Sequence, residues 1–507
     1  MSTTPADGMQ HLRQIAASLQ QARTTRHALL QGTAALTATT ALGTAPAHAA
    51  PDQPPVRELV VAQGVAAGAC LVTSRRLPLA GIAADQPAPL LQGDLTDWAA
   101  LGLGGSLPVT VLVVDPHFPE GVTPAETLPD YAALVAALDR TPGGVAMLPL
   151  ELVDARVQVL DLDGVSPLLA TGTTDAPIVR IGVAGDIIFG RNGGNYQMNF
   201  DDWLLPAYQV KDFLSTFDVT VANFECFVSD TIDLSTVDNL DFVTRPESLQ
   251  GMVLSGIDSV TMANNHAVFS FAGYGIPGMQ ETMSHLNAAG ITPWGVGMDL
   301  DEARAPWVTE VNGVSIAFYG VDGVTANLDY PNAMGVQGIP ADVIPVDARA
   351  DRGGTNPLKL DQNLADIEEL AGKHDIVLPY FHMGDQYVWT PRDWVVEVSR
   401  RCIDAGATAV LSAHPHATMG MEIYQGKPIF YSIGNFIYDQ MFSLETREGY
   451  FLDLTLRGKD LIGFRIHPTE VVDFVQPRFL SPRETVRFND RFWRSIDLTR
   501  AQFGDWS

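Results

Sequence analysis

The stretch that decides the fold covers residues 409–440 and reads AVLSAHPHATMGMEIYQGKPIFYSIGNFIYDQ. The apolar run at 407–412 predicts a buried strand, which ends at His414-Pro415-His416. Because proline fixes its own φ and lacks an N–H donor, a shaped loop is expected here and not a helix. Residues two apart in an extended segment point to the same side, so both imidazoles would face one site. Imidazole commonly binds transition metals; two loop histidines beside a core strand are the alternative.

Polar side chains also follow strands that are predicted upstream. These strands cover 178–186, 218–222, 257–262, 313–320 and 375–381, and one more follows at 428–432. Four of them lead into potential ligands: Asp186, Glu225, Asn265 with His266, and His382. Strand ends gather at one edge of a sheet, so these side chains are predicted to converge with the two loop histidines. Taken one at a time, each would more often cap a turn or form a hydrogen bond in the core.

The predicted ligand set combines carboxylate, amide oxygen and imidazole. This combination suits one or two divalent transition metals, with Mn, Fe, Zn and Ni as candidates. A structural zinc site rich in thiolates is not indicated, because the chain has only Cys70, Cys226 and Cys402 and no CxxC pair.

The composition limits the class of protein. A chain of 507 residues with 46% hydrophobic and 18% charged residues is globular and long enough for two or more domains. Its net charge of −28 argues against nucleic acid or an anionic membrane surface as the main partner. No stretch after the N-terminal region reaches the roughly 18 apolar residues of a membrane span.

The N-terminal region has two parts. Residues 1–50 are predicted to be an export leader, because Arg23 and Arg26 precede a mild apolar run and a small-x-small step at 47–49. A disordered tail is the alternative. Alternating strand and helix patterns over 51–174 predict a small α/β domain.

Within that small domain, LLQGDLTDWAALG, LPVTVLVVD and GGVAMLPLELVDARVQVLDLDGVSPL resemble part of one lobe of phosphate-type solute-binding proteins. Such proteins hold anions at helix N-termini and loop hydroxyls. An accessory domain without that function is the alternative.

Further elements surround the predicted site. Helices are predicted over 278–289 and 392–405, each followed by a glycine. Residues 323–357 read as a long loop over the site, and 449–466 as two strands. Residues 471–507 are interpreted as a C-terminal tail.

Five motifs in a fixed order carry a resemblance to a known family. They are GDIIFGR (185–191), NFE (223–225), MANNHA (262–267), HMGDQY (382–387) and the HPH-to-IYD segment (414–439). Together they resemble the CapA-like capsule (poly-gamma-glutamate) synthesis family, over 177–470. That resemblance implies an α/β fold: a four-layer metallophosphoesterase-like β-sandwich flanked by helices.

The resemblance also implies a role for each residue. The metal ligands would be Asp186, Glu225, Asn265, His382, His414 and His416. Of these, Asp186 and His416 would hold a first metal, Asn265, His382 and His414 a second, and Glu225 would bridge both. His266 would be the catalytic acid. Residues that contact the substrate or support the ligands would be Arg191, Asn264, Asp385, Glu422 and Asn435.

The sequence departs from the general pattern in three places. Ile188 occupies the position of a histidine ligand of the first metal, and Met383 and Gln386 replace a usual Trp and Glu. Ala413 replaces an additional histidine before the His-Pro-His step. The missing ligand puts occupancy by two metals in question.

Three functions are therefore considered. The first is an exported metal-dependent hydrolase of capsule or cell-wall polymer metabolism, acting on an anionic polymer or a small phosphoester, beside capsule-synthesis machinery. The second is a non-catalytic assembly or anchoring protein that keeps the fold. The third is an anion-binding module formed by residues 51–174.

Overall fold

The computed structural model describes residues 68–115, 122, 124–169, 175–237, 241–270, 272–330 and 346–504. The predicted leader at 1–50 and much of the predicted loop at 323–357 lie outside these ranges. The described chain divides into two compact units, and the boundary between them along the sequence lies between Ala176 and Pro177. No helix in the described ranges is both long and apolar enough to cross a bilayer.

The first unit is a small α/β structure. Its elements are β1 (Ala69–Thr73), β2 (Gly81–Ile82), α1 (Pro87–Gln92), β3 (Thr110–Val114), β4 (Glu126–Leu128), α2 (Tyr131–Arg140), β5 (Gly144–Pro149), β6 (Gln158–Val159) and β7 (Asp161–Leu162). The main sheet has the order β4-β3-β5-β1-β6, with β1 antiparallel to both of its neighbours. Trp98 is fully buried in its core, and its indole N–H donates to the Gly143 carbonyl at 3.0 Å.

The second unit contains the predicted site. Its elements begin with β8 (Ile178–Ile187), α3 (Arg191–Phe200), α4 (Lys211–Leu214), β9 (Val219–Phe224), β10 (Phe227–Val228), β11 (Val243–Thr244), α5 (Leu249–Ser255), β12 (Ser259–Thr261), α6 (Gly275–Ala288), β13 (Thr292–Trp294), β14 (Val296–Gly297) and α7 (Leu300–Arg304). They continue with β15 (Trp307–Val311), β16 (Val314–Asn327), β17 (Gly354–Thr355), β18 (Pro357–Leu358), α8 (Leu360–Ala371), β19 (Ile376–His382), α9 (Asp393–Asp404) and β20 (Leu411–Ala413). The last are β21 (Met421–Tyr424), β22 (Lys427–Phe430), β23 (Asn435–Ile437), α10 (Leu444–Arg447), β24 (Glu448–Arg457), β25 (Asp460–Val472), β26 (Gln476–Phe479) and α11 (Pro482–Phe503).

Two sheets form the core of this unit. The larger has the order β13-β12-β9-β8-β24-β25-β26, with β23 also paired to β8. Its β13, β12, β9 and β8 run parallel, whereas β24 to β26 are antiparallel. The smaller has the order β15-β16-β19-β20, in which β16, β19 and β20 are parallel.

The two-residue period of a strand explains how the layers pack. On β16, Tyr319 and its alternate neighbours pack against α8 and α9. The intervening Phe318 faces Trp294 of the larger sheet, with ring centroids 6.0 Å apart. Tyr380 of β19 donates its hydroxyl to the Ala184 carbonyl of β8 at 2.8 Å. On the other face of the larger sheet, Phe213 of α4 packs on Phe451. The second unit therefore has the predicted α/β metallophosphoesterase-like fold.

Local elements agree with the sequence predictions along most of this unit. The helix predicted over 392–405 spans Asp393–Asp404 and buries Trp394, Val395, Val398 and Cys402 on its apolar face. The strand predicted over 313–320 is longer, because β16 continues to Asn327 into the region that was interpreted as loop.

The region interpreted as a C-terminal tail is structured. Strand β26 pairs with β25, and α11 follows it. The helix begins with a capping box, in which Ser481 and Glu484 bond each other's backbone N–H, and with Pro482 in the first turn. Its buried residues recur at helical spacing: Phe488, Phe492, Ser495, Ile496 and Thr499. Both signals are present in the sequence and predict the helix correctly once the capping box is recognised.

Candidate metal centre

The predicted ligands meet at one edge of the two sheets. Asp186 near the end of β8 lies opposite Asn223 of β9 and Asn435 of β23 in the strand registers. His382 ends β19 and pairs in register with Ala413, directly before His414. This edge is formed by the carboxyl ends of parallel strands, the usual place for a site in such folds.

Six side chains form the cluster, which we call the metal-ligand cluster: Asp186, Glu225, Asn265, His382, His414 and His416. All are buried, with at most 1% of each residue exposed. Their potential ligand atoms form two groups that share Glu225. One group adds His382 and His414, the other Asp186 and His416, and within each group the atoms lie within 4.8 Å of one another. The same grouping is implied by the family resemblance, in which Glu225 would belong to both metal sites.

In the first group, atoms converge on Nε2 of His382. This nitrogen lies 3.1 Å from Nδ1 of His414, 3.4 Å from Oε1 of Glu225 and 2.7 Å from Oδ1 of Asn265. In the second group, Nδ1 of His416 lies 3.1 Å from Oδ2 of Asp186. Side chains from separate strands and loops are thus within the range of a shared cation.

The His-Pro-His step differs from the expectation of an extended segment. His414 has φ of +101° and His416 has φ of +53°, so both have left-handed backbone conformations. Such conformations cost about 1–3 kcal/mol each for a side chain other than glycine, and they persist only where the surroundings impose them. Here the His414 N–H points to Oδ2 of Asp186 at 3.4 Å, and Pro415 accepts a hydrogen bond from the Tyr387 N–H at 2.8 Å. The imidazoles still converge, with ring centroids 5.8 Å apart.

Two buried atoms of the cluster fit a bound cation. Oε1 of Glu225 and Nε2 of His414 are buried and have no hydrogen-bond partner among the described residues. Leaving such atoms unpaired costs about 1–3 kcal/mol each, and more for a charged group. A divalent transition metal would use the carboxylate oxygen and the imidazole nitrogen as ligands.

The electrostatics of the cluster are consistent with that fit. Burial raises the pKa of Glu225, because the charged carboxylate loses its hydration. Burial lowers the pKa of His414 well below its usual value, which keeps this imidazole in the neutral form that binds metals. Although burial opposes it, the hydrogen bond with His416 and the charge of His382 lower the pKa of Asp186.

His266 lies at the border of the cluster. Its Nε2 is 3.8 Å from Oε1 of Glu225, and its ring packs 4.2 Å from that of Phe242. The residue is 9% exposed, more than any of the six ligands. Burial, with the charges of nearby histidines, lowers its pKa to about 3, so the ring is neutral at pH 7.

Two asparagines contact histidines of the site. Asn264 donates to the Phe224 carbonyl at 2.7 Å, and its Oδ1 accepts from the His266 N–H at 3.0 Å. Oδ1 of Asn435 lies 2.9 Å from Nδ1 of His416, and Nδ2 of Asn435 donates to the Thr446 carbonyl at 2.7 Å. Both were predicted as supporting residues, and both contact members of the site.

Asn223 was missed as a site residue. Its Nδ2 donates to Oδ1 of Asp186 at 2.8 Å and lies 3.5 Å from Oε2 of Glu225, while its Oδ1 accepts from Asn264 at 3.0 Å. The signal was present, because Asn223 stands two residues before Glu225 and so belongs to the same side of an extended segment.

The other predicted residues fall in different places. Arg191 pairs with Asp439 and lies over the rings of Phe242 and Tyr438, at 4.8 and 5.2 Å, so it stands beside the aromatic ring that contacts His266. Asp385 and Glu422, in contrast, have no contact with the cluster in the described part of the chain.

Glu422 and Asp385 pair with arginines instead. Glu422 is 1% exposed and forms an ion pair with Arg400 at 2.7 Å. Asp385 pairs with Arg392 at the start of α9. Their predicted support of the ligands is therefore not seen, because each carboxylate is already engaged by a cation.

Aromatic side chains line the exposed border near His416. Tyr387 is 46% exposed and Phe442 is 69% exposed, and their rings are 5.6 Å apart. The Tyr387 ring lies 6.2 Å from that of His416, and its hydroxyl accepts from Gln440 at 2.8 Å. Two exposed aromatic rings therefore border the site beside His416.

The fold and the buried carboxylate, amide and imidazole cluster define an α/β protein with a metallophosphoesterase-like fold and a candidate metal centre. The chain belongs to the bacterial capsule synthesis protein family PGA_cap, whose model matches residues 180–440, just over half of the chain. The match contains all six residues of the metal-ligand cluster.

Relatives with names in capsule synthesis support the same assignment. The PGA biosynthesis protein CapA of Bacillus subtilis is 26% identical over 313 residues, covering 60% of this chain and 74% of that protein. The capsule biosynthesis protein CapA of Bacillus anthracis is 25% identical over 335 residues, covering 64% of this chain and 74% of that protein.

Part of the chain is also similar to the structure of an ABC-type phosphate transport receptor from Vibrio cholerae. The identity is 15%, the TM-score is 0.19, and 20% of this chain and 48% of that chain are covered. A similarity at this level assigns no function, so the predicted relation of residues 51–174 to solute-binding proteins stays a prediction.

Proposed function

We propose that this protein is a metal-dependent hydrolase that cuts an ester bond in capsule or cell-wall polymer metabolism. The observation that carries the proposal is the buried cluster in which two groups of ligand atoms share Glu225. The unpartnered Oε1 of Glu225 and Nε2 of His414 support a cation at this place. Membership of the capsule synthesis family supports the polymer context.

The six ligands and the asparagines behind them would hold the metal. A bound divalent metal supplies Lewis-acid chemistry, lowering the pKa of water and neutralising charge that develops on an ester. Asn223 holds Asp186 and Glu225 in fixed orientations through its amide, so that the carboxylates need not reorganise.

His266 is proposed as the group that transfers a proton. It is more exposed than any of the six ligands, which places it where a substrate can reach it. Its backbone N–H is held by Asn264, and its ring packs on Phe242. A neutral imidazole takes the proton that the attacking water releases and delivers it to the leaving oxygen of the ester.

The small-phosphoester or anionic-polymer substrate is proposed to approach along the aromatic border formed by Tyr387 and Phe442. The charge of −28 disfavours docking of a free polyanion unless cations mediate the contact.

We also propose that the protein is located outside the cytoplasm, on the basis of the leader predicted at 1–50. Cell fractionation tests this: recovery in the cytoplasm at full length would contradict it.

A non-catalytic assembly protein is the second candidate. Ile188 is fully buried at the position where the general fold has a histidine ligand, so one metal position has fewer ligands. A protein that has lost a ligand can retain the fold for another purpose.

One experiment separates the two candidates. Purified protein is analysed for transition metals by mass spectrometry and assayed on bis-p-nitrophenyl phosphate with added Mn²⁺, beside Asp186→Asn and His266→Ala. The control is His374→Ala, because His374 is a partly exposed histidine outside the cluster whose Nδ1 lies 2.8 Å from the Ser315 hydroxyl. A hydrolase binds metal and loses activity in the two site variants alone. A wild-type protein that binds metal but cuts no ester supports the assembly role.

A further inference from the structure

Helix α11 touches both loops that carry the histidine ligands. The first, which we call the His382 loop, comprises residues 383–392 after β19. The second, the His414 loop, comprises residues 414–420 after β20. Ser495 of α11 accepts a hydrogen bond from the Gly420 N–H at 2.7 Å and donates its own hydrogen to the Trp389 carbonyl. One hydroxyl group thereby joins the two loops, with its single hydrogen and one lone pair both used.

The contact is buried and close. Ser495 is 2% exposed, so water does not compete for these hydrogen bonds. Gly420 has no room for a side chain, because a Cβ there would lie 2.6 Å from Cγ1 and 2.8 Å from the backbone nitrogen of Ile496. The backbone of the His414 loop therefore rests directly on the helix.

Other contacts fix the helix in this position. Arg487 and Arg491 both pair with the fully buried Glu448 at the start of β24. Phe492 packs against Tyr450 of the same strand, with ring centroids 5.8 Å apart. Since α11 is anchored on the larger sheet, Ser495 is a fixed point to which both loops are attached.

We infer that Ser495 is a positioning residue for the metal centre, acting through the two loops and not by touching a ligand. The inference rests on the proposed metal centre. It also extends the site beyond residues 180–440, because α11 lies outside the range that the family model matches. Residues that orient the ligands of a metal commonly change its affinity by about 10- to 100-fold when they are replaced.

The test measures the affinity of the purified full chain for Co²⁺, whose visible absorption also reports the geometry of its ligands. Ser495→Ala is expected to weaken Co²⁺ binding about tenfold and to change the absorption spectrum. Ser495→Thr retains the hydroxyl and should recover most of the affinity. The matched control is Thr499→Ala, since Thr499 lies one turn further on the same helix, is 1% exposed and donates its hydroxyl to the Ser495 carbonyl at 2.9 Å within that helix.

The outcomes are distinct. Equal loss of thermal stability in both alanine variants, with weaker Co²⁺ binding in Ser495→Ala alone, supports the inference. Unchanged affinity in Ser495→Ala, or the same loss in Thr499→Ala, overturns it while the metal centre stands. A wild-type chain that binds neither Co²⁺ nor another divalent metal removes the metal centre itself, and the inference with it.

Discussion

Glu225 and Glu448 are both fully buried glutamates in the same unit, yet their surroundings are opposite. Glu448 has an arginine at each carboxylate oxygen, Arg487 at one and Arg491 at the other. Glu225 has Asn223 at 3.5 Å and histidines at 3.4 and 3.8 Å, and its Oε1 has no hydrogen-bond partner. No lysine or arginine contacts it in the described ranges.

The difference shows where each charge is compensated. A buried carboxylate is stable only if it is paired, protonated or bound to a metal. The chain provides the cations for Glu448 from its own helix α11. For Glu225 it provides imidazoles and amides, which are potential metal ligands and not permanent charges. The carboxyl group is therefore left to bind a proton or a cation, and burial raises its pKa accordingly.

The largest expected effect is on catalysis. Replacing the carboxylate in Glu225→Gln, or the proton-transfer group in His266→Ala, should reduce hydrolysis of bis-p-nitrophenyl phosphate about 10³-fold, because each removes a group of the site. Glu448→Gln, measured on folded and metal-loaded protein, should retain activity within about tenfold. Equal losses of activity in the Glu225 and Glu448 variants would show that the two residues do not differ in their role in catalysis.

The next largest effect is the loss of stability when the metal is removed. Protein with metal at about 100 times its Kd should be about 3 kcal/mol more stable than protein treated with a chelator, since the metal binds only the folded state. Differential scanning calorimetry measures the shift in Tm. Glu225→Gln should show little or no shift, and an undiminished shift in that variant would mean that the metal binds elsewhere.

Glu448→Gln tests the other half of the comparison. It leaves two arginines without their carboxylate, and Arg491 is largely buried. We expect a loss of about 2–3 kcal/mol in the free energy of unfolding, below the usual value for a fully buried pair because half of the Arg487 side chain is exposed. Urea unfolding measures it, with Glu445→Gln on the short helix before β24 as a control. A loss below about 0.5 kcal/mol would show that the arginines do not compensate Glu448.

The smallest effect concerns a carboxylate with mixed partners. Asp453 is 2.7 Å from Arg180 and 3.8 Å from His467. Although burial opposes it, these hydrogen bonds and charges lower the pKa of Asp453 from 3.8 to about 2. The ionised Asp453 therefore contributes about 2 kcal/mol to the free energy of unfolding. This contribution is complete above pH 4 and declines as the pH falls towards 2.

Asp453→Asn should accordingly cost about 2 kcal/mol at pH 7 and clearly less at pH 3, in urea unfolding of both proteins. A gap between wild type and variant that is the same at both pH values would show that the cost is steric and not electrostatic.

Much of the site could be predicted because it follows from strand ends. Asp186, Glu225 and His382 each follow an apolar run, and a parallel sheet brings such positions to one edge. The backbone of His414 and His416 could not be predicted, because their left-handed conformations depend on contacts with Asp186 and Tyr387, far away in sequence.

Glu422 and α11 show two other limits. Glu422 lies within the most informative stretch of the sequence, but its partner Arg400 comes from a neighbouring helix, and only the packing of α9 decides that pairing. The helix α11 has its own capping box and apolar period, so its existence could be predicted. Its contact with Gly420 could not, since nothing local indicates which loop a terminal helix will cover.

The position of α11 in the chain has a consequence for how the protein is made and handled. All six ligands are synthesised before Ser495, Arg487 and Arg491, so a growing chain displays them before the helix that holds their loops exists. We expect stable metal loading to follow the synthesis and folding of this helix. A purification tag placed directly after this helix, or a truncation within it, would then lower metal content without altering a single ligand, and metal analysis of such variants measures that loss.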